Sequence, residues 1–274
     1  MFFLGLGIIL FPRVAESLNT VKQSQEVESF KKDIAEKDDE EIEKELSRVE
    51  DCYNKVYYDE HGIHDPFEES NEKLNQFREC LGIEKDEIFA SLEIPKLNLS
   101  IPIYLGSSKL ILDMGVGQVE GSSLPLGGRG THTVLAAHRG MGTKAMFRNL
   151  DELYEGDVFY IHGSTGTLKY RVTQQRVIYP YETSSLDLEE DKDMATLLTC
   201  HPYRYNYQRL LIHGERFEEE TVELKVEDEK EEEDKKIIEV VEVTRFWKRN
   251  NKIVIAAIGV LSFLVAYILF EKKN

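Results

Sequence analysis

The sequence predicts a mainly β protein, a sandwich or closed barrel that follows a helical extension and precedes a membrane-spanning helix. Three observations predict this architecture. Seven strand-like segments, most of them separated by Gly or Pro, occupy about 125 residues in the centre of the chain. A stretch with apolar residues at three- and four-residue spacing comes before them, and a run of 18 uncharged residues stands near the C-terminus.

The chain begins with MFFLGLGIILF, 11 apolar residues that end before Pro12. This run is short for a bilayer span and has no basic leader. We therefore expect residues 1–20 to form a short apolar segment that acts as a signal, a partial membrane anchor or an interfacial segment.

Residues 21–87 are predicted to form a helical extension, with helices over 26–58 and 68–81. The segment EIEKELSRVEDCYNKVYY places one apolar face on the first helix, formed by Ile42, Leu46, Val49, Tyr53 and Val56. Between the helices, the loop 59–70 contains DEHGIHDPF, whose Gly and Pro residues favour a turn.

The predicted β domain covers residues 88–217. Its strand candidates are 92–96, 101–105, 131–138, 157–163, 168–180, 194–200 and 209–217. Alternating apolar and polar residues are visible in YRVTQQRVIY, which is typical of a strand with one buried face.

Acidic residues outnumber basic ones by 51 to 34, and most of the excess lies in two segments. Residues 24–50 and 218–236 carry formal net charges of −6 and −7, out of −17 for the chain. No basic stripe is present, which argues against a nucleic-acid partner. We expect residues 218–250 to be an acidic spacer.

The stretch IVIAAIGVLSFLVAYILF would be about 27 Å long as a helix, which matches the hydrocarbon core of a bilayer. Residues 251–274 are therefore predicted to be a transmembrane anchor with a short tail. More Lys and Arg residues precede this span than follow it, so the positive-inside count places the large domain in the cytoplasm. An N-terminal export signal would reverse that orientation.

The three cysteines lack zinc-site spacing, so no metal site is expected. Cys52 and Cys80 lie in the two predicted helices, where a disulfide is possible in an exported chain, but we expect two buried thiols. Cys200 ends an apolar strand before a Pro-containing loop. It is either a small buried hydrophobe or a nucleophile at the edge of a groove.

A nucleophilic thiol needs a proton acceptor and a group that stabilises an oxyanion. His138 is the best-placed histidine, because it ends a predicted strand before a glycine-containing turn. Arg209 follows Cys200 by nine residues, which suits a strand, a loop and a returning strand. Taken singly, a core hydrogen bond for His138 and a surface ion pair for Arg209 are the likelier roles.

Taken together, these segments resemble the sortases, membrane-anchored cysteine transpeptidases of Gram-positive bacteria. TLLTC matches the family pattern TLxTC, LAAHRG is similar to its histidine segment, and the arginine follows at the family's position. The resemblance covers residues 88–217. It implies an eight-stranded sortase β-barrel with Cys200 as nucleophile, His138 as general acid/base and Arg209 as stabiliser of the oxyanion or substrate, with no cofactor.

The sequence HDPFEES resembles the lid of the class C, or pilin-polymerising, sortases. The resemblance implies that Asp65, Pro66 and Phe67 form this lid. In that case Asp65 pairs with Arg209 and Phe67 covers the thiol of Cys200, so the resting enzyme is closed. The alternative is an ordinary Asp-Pro turn.

The same resemblance implies the substrate. The enzyme would cleave an LPxTG-like sorting signal after Thr and join the released acyl group to a lysine of the next pilin subunit. The residues flanking the catalytic three would line the groove, namely Ala136, Ala137, Leu198 and Thr199. Because pilins lie outside the cell, the family implies an exported, monomeric catalytic domain with a cytoplasmic C-terminal tail, against the charge count.

Two alternatives stay open at this stage. A sortase that anchors surface proteins to cell-wall peptidoglycan would use the same three residues with a different amine. A membrane-tethered binding barrel with an inert thiol would need none of them.

Overall fold

The structure, a computed structural model, describes residues 2–53, 63, 72–84 and 86–218. Its α-helices are α1 (Phe2–Ala35), α2 (Asp39–Cys52), α3 (Glu72–Leu81) and α4 (Lys109–Met114). Its strands are β1 (Ala90–Ile94), β2 (Leu99–Leu105), β3 (Val116–Gln118), β4 (Thr131–Ala136), β5 (Val158–Gly163), β6 (Gly166–Ile178), β7 (Asp193–His201) and β8 (Gln208–Arg216).

Within the described ranges, no helix has the length and apolarity needed to cross a membrane. The predicted anchor, residues 251–274, lies outside the described residues, as do almost all of the acidic spacer and the Asp65–Phe67 segment.

The eight strands close a barrel in the order β1-β2-β3-β4-β7-β8-β6-β5, which confirms the predicted mainly β barrel. Two strand pairs are parallel, β2 with β3 and β4 with β7, and the others are antiparallel. Seven of the strands overlap the predicted segments. The sequence pattern missed β3, because three residues, one of them glycine, are too short to show alternation.

Apolar side chains from all eight strands fill the barrel interior. Burial along β5 alternates strictly, as expected for a strand with one face in a core. Phe159 of β5 stacks on Tyr170 of β6 with ring centroids 5.5 Å apart. A Cβ at Gly214 of β8 would lie 2.6 Å from the Phe159 ring, so glycine is required there. The core thus requires large aromatic side chains at Phe159 and Tyr170 and leaves no room for a side chain at Gly214.

The helical extension is divided differently from the prediction. Helix α1 runs without interruption from Phe2 to Ala35, across the boundary expected at residue 20. The helix expected over 26–58 is interrupted before Asp38, whose carboxylate accepts a hydrogen bond from Glu41 N at 2.8 Å and caps α2. A cluster of Asp and Glu in the first turn of α2 adds a favourable interaction with the helix dipole.

Helix α3 packs one apolar face, formed by Leu74, Phe77 and Leu81, into a cluster with Val49 of α2. Cys52 and Cys80 are joined by a disulfide with a Cα–Cα distance of 5.8 Å. The expectation of two thiols was therefore wrong. Their spacing along the sequence does not reveal that the last turns of α2 and α3 lie side by side.

Candidate active site

The parallel pairing of β4 with β7 brings His138 next to Cys200. Ala136 lies opposite Leu198, and the backbone hydrogen bond from Ala137 N to Leu198 O, 3.1 Å, continues this pairing. His138 comes two residues after Ala136, and Cys200 comes two residues after Leu198, so both follow the end of this pairing. Because neighbouring strands lie about 5 Å apart, we expect the imidazole and the thiol to be within reach of each other.

The antiparallel pairing of β7 with β8 places Arg209 directly opposite Cys200. Cys200 and Arg209 therefore form a cross-strand pair, and His138 follows two residues after the end of the neighbouring strand β4. These three residues are called the catalytic row below. They lie at the same end of three adjacent strands, although the outermost two are 71 residues apart in the sequence. Their catalytic roles stay a prediction.

The catalytic row projects from the outside of the barrel. Ala136 and Leu198, two residues before His138 and Cys200, belong to an apolar cluster on the outer face of β4, β7 and β8, called the outer cluster below. Its other members are Leu112, Val119, Val134, Ile178, Leu186 and Leu211. Because side chains alternate along a strand, Cys200 shares the face of Leu198. Its side chain is half-buried.

Arg209 is held in place by the loop that precedes it. The residue is only 7 % exposed, and its Nη1 donates hydrogen bonds to the backbone oxygens of Asn206 and Gln208, each at 3.0 Å. A guanidinium stays charged at any physiological pH. The row therefore contains a fixed positive charge alongside the sulfur, which suits a developing oxyanion.

Asp113, which sequence reasoning missed, contacts the histidine. His138 Nε2 lies 3.2 Å from Asp113 Oδ1 at the end of α4, and the nitrogen donates because a carboxylate only accepts. Lys144 Nζ donates to the backbone oxygen of the same aspartate at 2.5 Å. Nothing in KLILDM indicates this role. The contact depends on how α4 packs beside the end of β4, 25 residues away along the chain.

A second row lies one residue further along the same strands. Arg139 Nη1 lies 2.5 Å from His201 Nδ1, and Arg139 Nη2 pairs with Asp151 at 2.7 Å. Because arginine only donates, His201 Nδ1 must accept. Burial, and then the nearby positive charge of Arg139, lower the pKa of His201, which keeps this ring neutral. The contact ties the ends of β4 and β7 together immediately behind His138 and Cys200.

The four expected groove residues divide between the two faces of the barrel wall. Ala136 and Leu198 lie in the outer cluster beside the catalytic row. Ala137 lies in the barrel interior, and the hydroxyl of Thr199 donates to its backbone oxygen at 2.7 Å. All four are buried. Their part in substrate binding stays a prediction.

The predicted lid residues Asp65, Pro66 and Phe67 lie outside the described residues. Ile63, two positions earlier, is described, and its half-buried side chain packs against the outer cluster. Of this loop, the described residue Ile63 thus lies on the face of the barrel that carries the outer cluster.

A buried chain of polar groups lies on β7 and its neighbours, four residues from the cysteine. The Thr196 hydroxyl lies 2.7 Å from His132 Nε2 and 2.8 Å from His213 Nδ1, and His132 Nδ1 lies 3.0 Å from the Asp187 carbonyl. A carbonyl only accepts, so His132 carries its proton on Nδ1, Thr196 donates to His132, and His213 donates to Thr196. Burial lowers the pKa of His213 to about 4, with smaller contributions from His132 and Arg176.

No group of three or more His, Cys, Asp or Glu side chains within residues 2–53, 72–84 and 86–218 has the geometry of a metal site. The arrangement offers a thiol, an imidazole with a carboxylate behind it, and a fixed guanidinium. This set suits acyl transfer through a covalent thioester.

Comparison with known proteins gives one family. The sortase domain model matches residues 92–217. Sortase D of Bacillus subtilis is 32 % identical over 128 residues, which are 46 % of this chain and 62 % of that protein. The chain thus matches about three fifths of the length of this curated relative.

Solved structures match over a larger part of the chain. Sortase C of Streptococcus pneumoniae is 34 % identical with a TM-score of 0.61, over 71 % of this chain and 97 % of the solved one. Sortase C of Clostridium perfringens, solved with the C-terminal cell wall sorting motif, is 36 % identical with a TM-score of 0.60, over 71 % of this chain and 99 % of the solved one. With the barrel topology and the catalytic row, these matches show that the chain belongs to the sortase family and that its structural neighbours are class C sortases.

Proposed function

We propose that this protein is a membrane-anchored cysteine transpeptidase that cleaves an LPxTG-like sorting signal after Thr and joins pilin subunits through lysine isopeptide bonds. The catalytic row is the observation that carries the proposal, because Cys200 pairs with Arg209 across β7 and β8 and His138 follows the end of the adjacent strand β4. The similarity to class C sortases supports the pilin substrate.

In the first step, the sulfur of Cys200 attacks the carbonyl carbon of the signal's threonine. The negative charge that forms on the carbonyl oxygen is stabilised by the guanidinium of Arg209. His138 takes the proton from the thiol of Cys200 as the sulfur attacks, and donates it to the leaving amine when the C–N bond breaks. The products are a thioester on Cys200 and the released C-terminal fragment.

In the second step, a lysine amine of the next subunit attacks the thioester carbonyl. His138 removes the proton from the attacking nitrogen and donates it to the leaving sulfur as the C–S bond breaks, which returns the thiol of Cys200. The buried position of Arg209 keeps its charge available in both steps without solvent reorganisation. No metal or organic cofactor takes part in this chemistry.

We also propose that Asp65 and Phe67 cover the thiol in the resting enzyme and that the catalytic domain is exported. The packing of Ile63 against the outer cluster supports the cover. The Cys52–Cys80 disulfide supports export, because disulfides persist in oxidising compartments and are rare in the cytoplasm. The anchor would be residues 251–274, with the tail in the cytoplasm.

The test is mass spectrometry of the product formed with a candidate pilin subunit. We expect a bond between the threonine carboxyl group and a lysine side chain, and a thioester intermediate on Cys200. The Cys200→Ala variant should form neither while it keeps the far-ultraviolet circular dichroism and melting temperature of the wild type.

Two results would contradict the proposal. Polymer formation by Cys200→Ala would remove the nucleophile assignment. A bond to a peptidoglycan amine, with no lysine isopeptide, would favour the wall-anchoring alternative.

A further inference from the structure

His138 is held from two directions, by its neighbour Asp113 and by the chain that follows it. Asp113, near the end of α4, accepts a hydrogen bond from His138 Nε2 at 3.2 Å. On the other side, Phe147 N donates to the backbone oxygen of His138 at 3.0 Å. The residues 139–149, called the post-histidine connection below, thus fold back onto the histidine. The position of the imidazole therefore depends on what fixes α4 and on what fixes this connection.

The end of α4 is fixed by side chains from elsewhere in the chain. The last carbonyl groups of a helix have no partner within it. In α4, the backbone oxygen of Met114 accepts from Gln23 Nε2 at 3.0 Å, and that of Asp113 accepts from Lys144 Nζ at 2.5 Å. Gln23 lies in α1 and Lys144 in the post-histidine connection. Both donors thus satisfy carbonyl oxygens in the last turn of a six-residue helix.

Gln23 belongs to a polar row on α1, called the clamp face below, together with Glu16 and Asn19. Their spacing of three and four residues places them on one side of a helix. Asn19 Nδ2 donates to the backbone oxygen of Thr143 at 2.8 Å, and both carboxylate oxygens of Glu16 accept from Arg148 Nη1, at 2.9 and 3.0 Å. Both of these partners lie in the post-histidine connection. One helix face therefore contacts both segments that hold the imidazole.

Arg148 gives the post-histidine connection a closed shape. Its Nη2 donates to the backbone oxygens of Met141 and Lys144, each at 3.2 Å. Gly140 has a φ of +92°, and a Cβ at this position would lie 2.9 Å from Arg148 Nε, so glycine lets the turn pack against the guanidinium. The connection is thus a compact loop that Arg148 joins to Glu16 of α1.

Helix α1 is itself anchored on the barrel beyond the clamp face. Gln23 is 8 % exposed, and Val27, one turn later, is 2 % exposed. A further turn along, Lys31 Nζ donates to a carboxylate oxygen of Glu93 in β1 at 3.1 Å. The side of α1 that carries the clamp face is therefore the side that packs on the barrel. This packing lets α1 hold α4 in a fixed position relative to β4.

We propose that Gln23 is a positioning residue for acyl transfer: it holds the end of α4, α4 holds Asp113, and Asp113 orients the imidazole of His138. The inference rests on the proposed function and extends its machinery to α1, which precedes the matched sortase domain at residues 92–217. Gln23 acts through Asp113 and not on the reacting atoms. Its contribution is to keep the ring in the orientation that serves both proton transfers, so it affects the rate of the bound complex and not the binding of the donor.

The test is a double-mutant cycle on the full chain. Gln23→Met keeps the length and helix propensity of the side chain and removes its donor. Gln25→Met makes the same change at an exposed position of α1 and is the matched control. Asp113→Ala, which removes the contact with the imidazole, is made alone and together with Gln23→Met. Fragment release from an LPxTG peptide, with hydroxylamine as acceptor, gives kcat and KM at a temperature at which circular dichroism shows every variant folded.

We expect Gln23→Met to lower kcat about threefold and to leave KM within about 1.5-fold of wild type, because the change loosens the ring and not the substrate groove. Gln25→Met should match wild type. In the Asp113→Ala background, Gln23→Met should change kcat by less than about 1.3-fold, because the contact through which it acts is already absent. A purely structural role for Gln23 would instead lower kcat by the same factor in both backgrounds.

Three results would overturn the proposal: equal losses of kcat in both backgrounds, a raised KM at wild-type kcat, or an unchanged kcat for Gln23→Met. If Gln23→Met does not fold, the smaller Gln23→Ala is taken through the same cycle with Gln25→Ala as its control. If wild type releases no fragment even with hydroxylamine, the proposed function itself fails, which is a different result from any variant outcome.

Discussion

At the scale of single residues, the chemistry depends on which side chains the strand register aligns. Cys200 obtains Arg209 as a cross-strand partner and His138 as a neighbour through the parallel register of β4 and β7. Asp113 contacts Nε2 of the imidazole from α4. A histidine that takes and gives protons, as proposed for His138, works best when its ring orientation is fixed, and this hydrogen bond restrains the ring.

The role of Asp113 is tested with Asp113→Asn, which keeps the size of the side chain and removes its charge. We expect kcat to fall about fivefold, corresponding to roughly 1 kcal/mol for one hydrogen bond, because the ring is held less firmly in both proton transfers. KM for the LPxTG peptide and the melting temperature should stay unchanged. A raised KM with wild-type kcat would show instead that Asp113 contributes to substrate binding.

At the scale of elements, the segment between α2 and α3 is restrained at both ends. The disulfide joins Cys52, the last residue of α2, to Cys80 in the last turn of α3, and closes a loop that contains the lid sequence. Closing a loop with a separation of 28 residues removes chain entropy equivalent to about 3.5 kcal/mol from the unfolded state. Ile63 adds an apolar contact inside this loop.

The lid is tested by the reactivity of the thiol. If Phe67 covers Cys200 and Asp65 holds the cover through Arg209, then Phe67→Ala and Asp65→Ala should each raise the rate of alkylation by a small reagent about tenfold. His61→Ala, in the same segment, is the control and should react like wild type. Labelling must be absent from Cys200→Ala, and unchanged rates in both lid variants would mean that no closed lid protects the sulfur.

At the scale of the whole molecule, buried histidines connect folding to pH. His132 and His213 are neutral in the folded protein because burial lowers the pKa of each, to about 4 for His213. Asp187 and Glu189 oppose the shift at His132, and Arg176 reinforces it at His213. In the unfolded chain a histidine has a pKa of about 6.5, so between these values the unfolded state binds more protons. Stability must therefore fall as the pH falls through this range.

The expected size of this loss follows from the shift at His213. Between pH 6.5 and pH 4 its protonation on unfolding should remove roughly 3 kcal/mol from the free energy of unfolding, which urea titrations at pH 7.5, 6 and 5 would follow. His213→Gln cannot titrate, so its stability should depend less steeply on pH over the same interval. Equal slopes for the variant and wild type would show that His213 is not the group responsible.

The helical extension shows why the sequence was only partly informative about structure outside the barrel. Apolar spacing predicted helices on either side of loop 59–70, because burial of one face imposes a 3.6-residue period. The interruption before Asp38 and the disulfide were not predicted. Both depend on how the helices pack against each other and against the barrel. The spacing of apolar residues along the sequence does not determine that packing.

For the barrel, the sequence by itself determined the mainly β class and seven of the eight strands, and its resemblance to the sortases singled out the three residues of the catalytic row, whose roles stay a prediction. Strand alternation and the segments TLLTC and LAAHRG carry that information locally. Only the tertiary structure decided the closure order, strand β3 and the contacts of His138 with Asp113 and of Arg139 with His201. At Gly117 of β3, a Cβ would lie 2.3 Å from the Gly106 backbone oxygen. Glycine is therefore required at this position because two backbones approach closely, and not because of its strand propensity. Contacts between distant segments are fixed by packing and register, and these exist only once the barrel has closed.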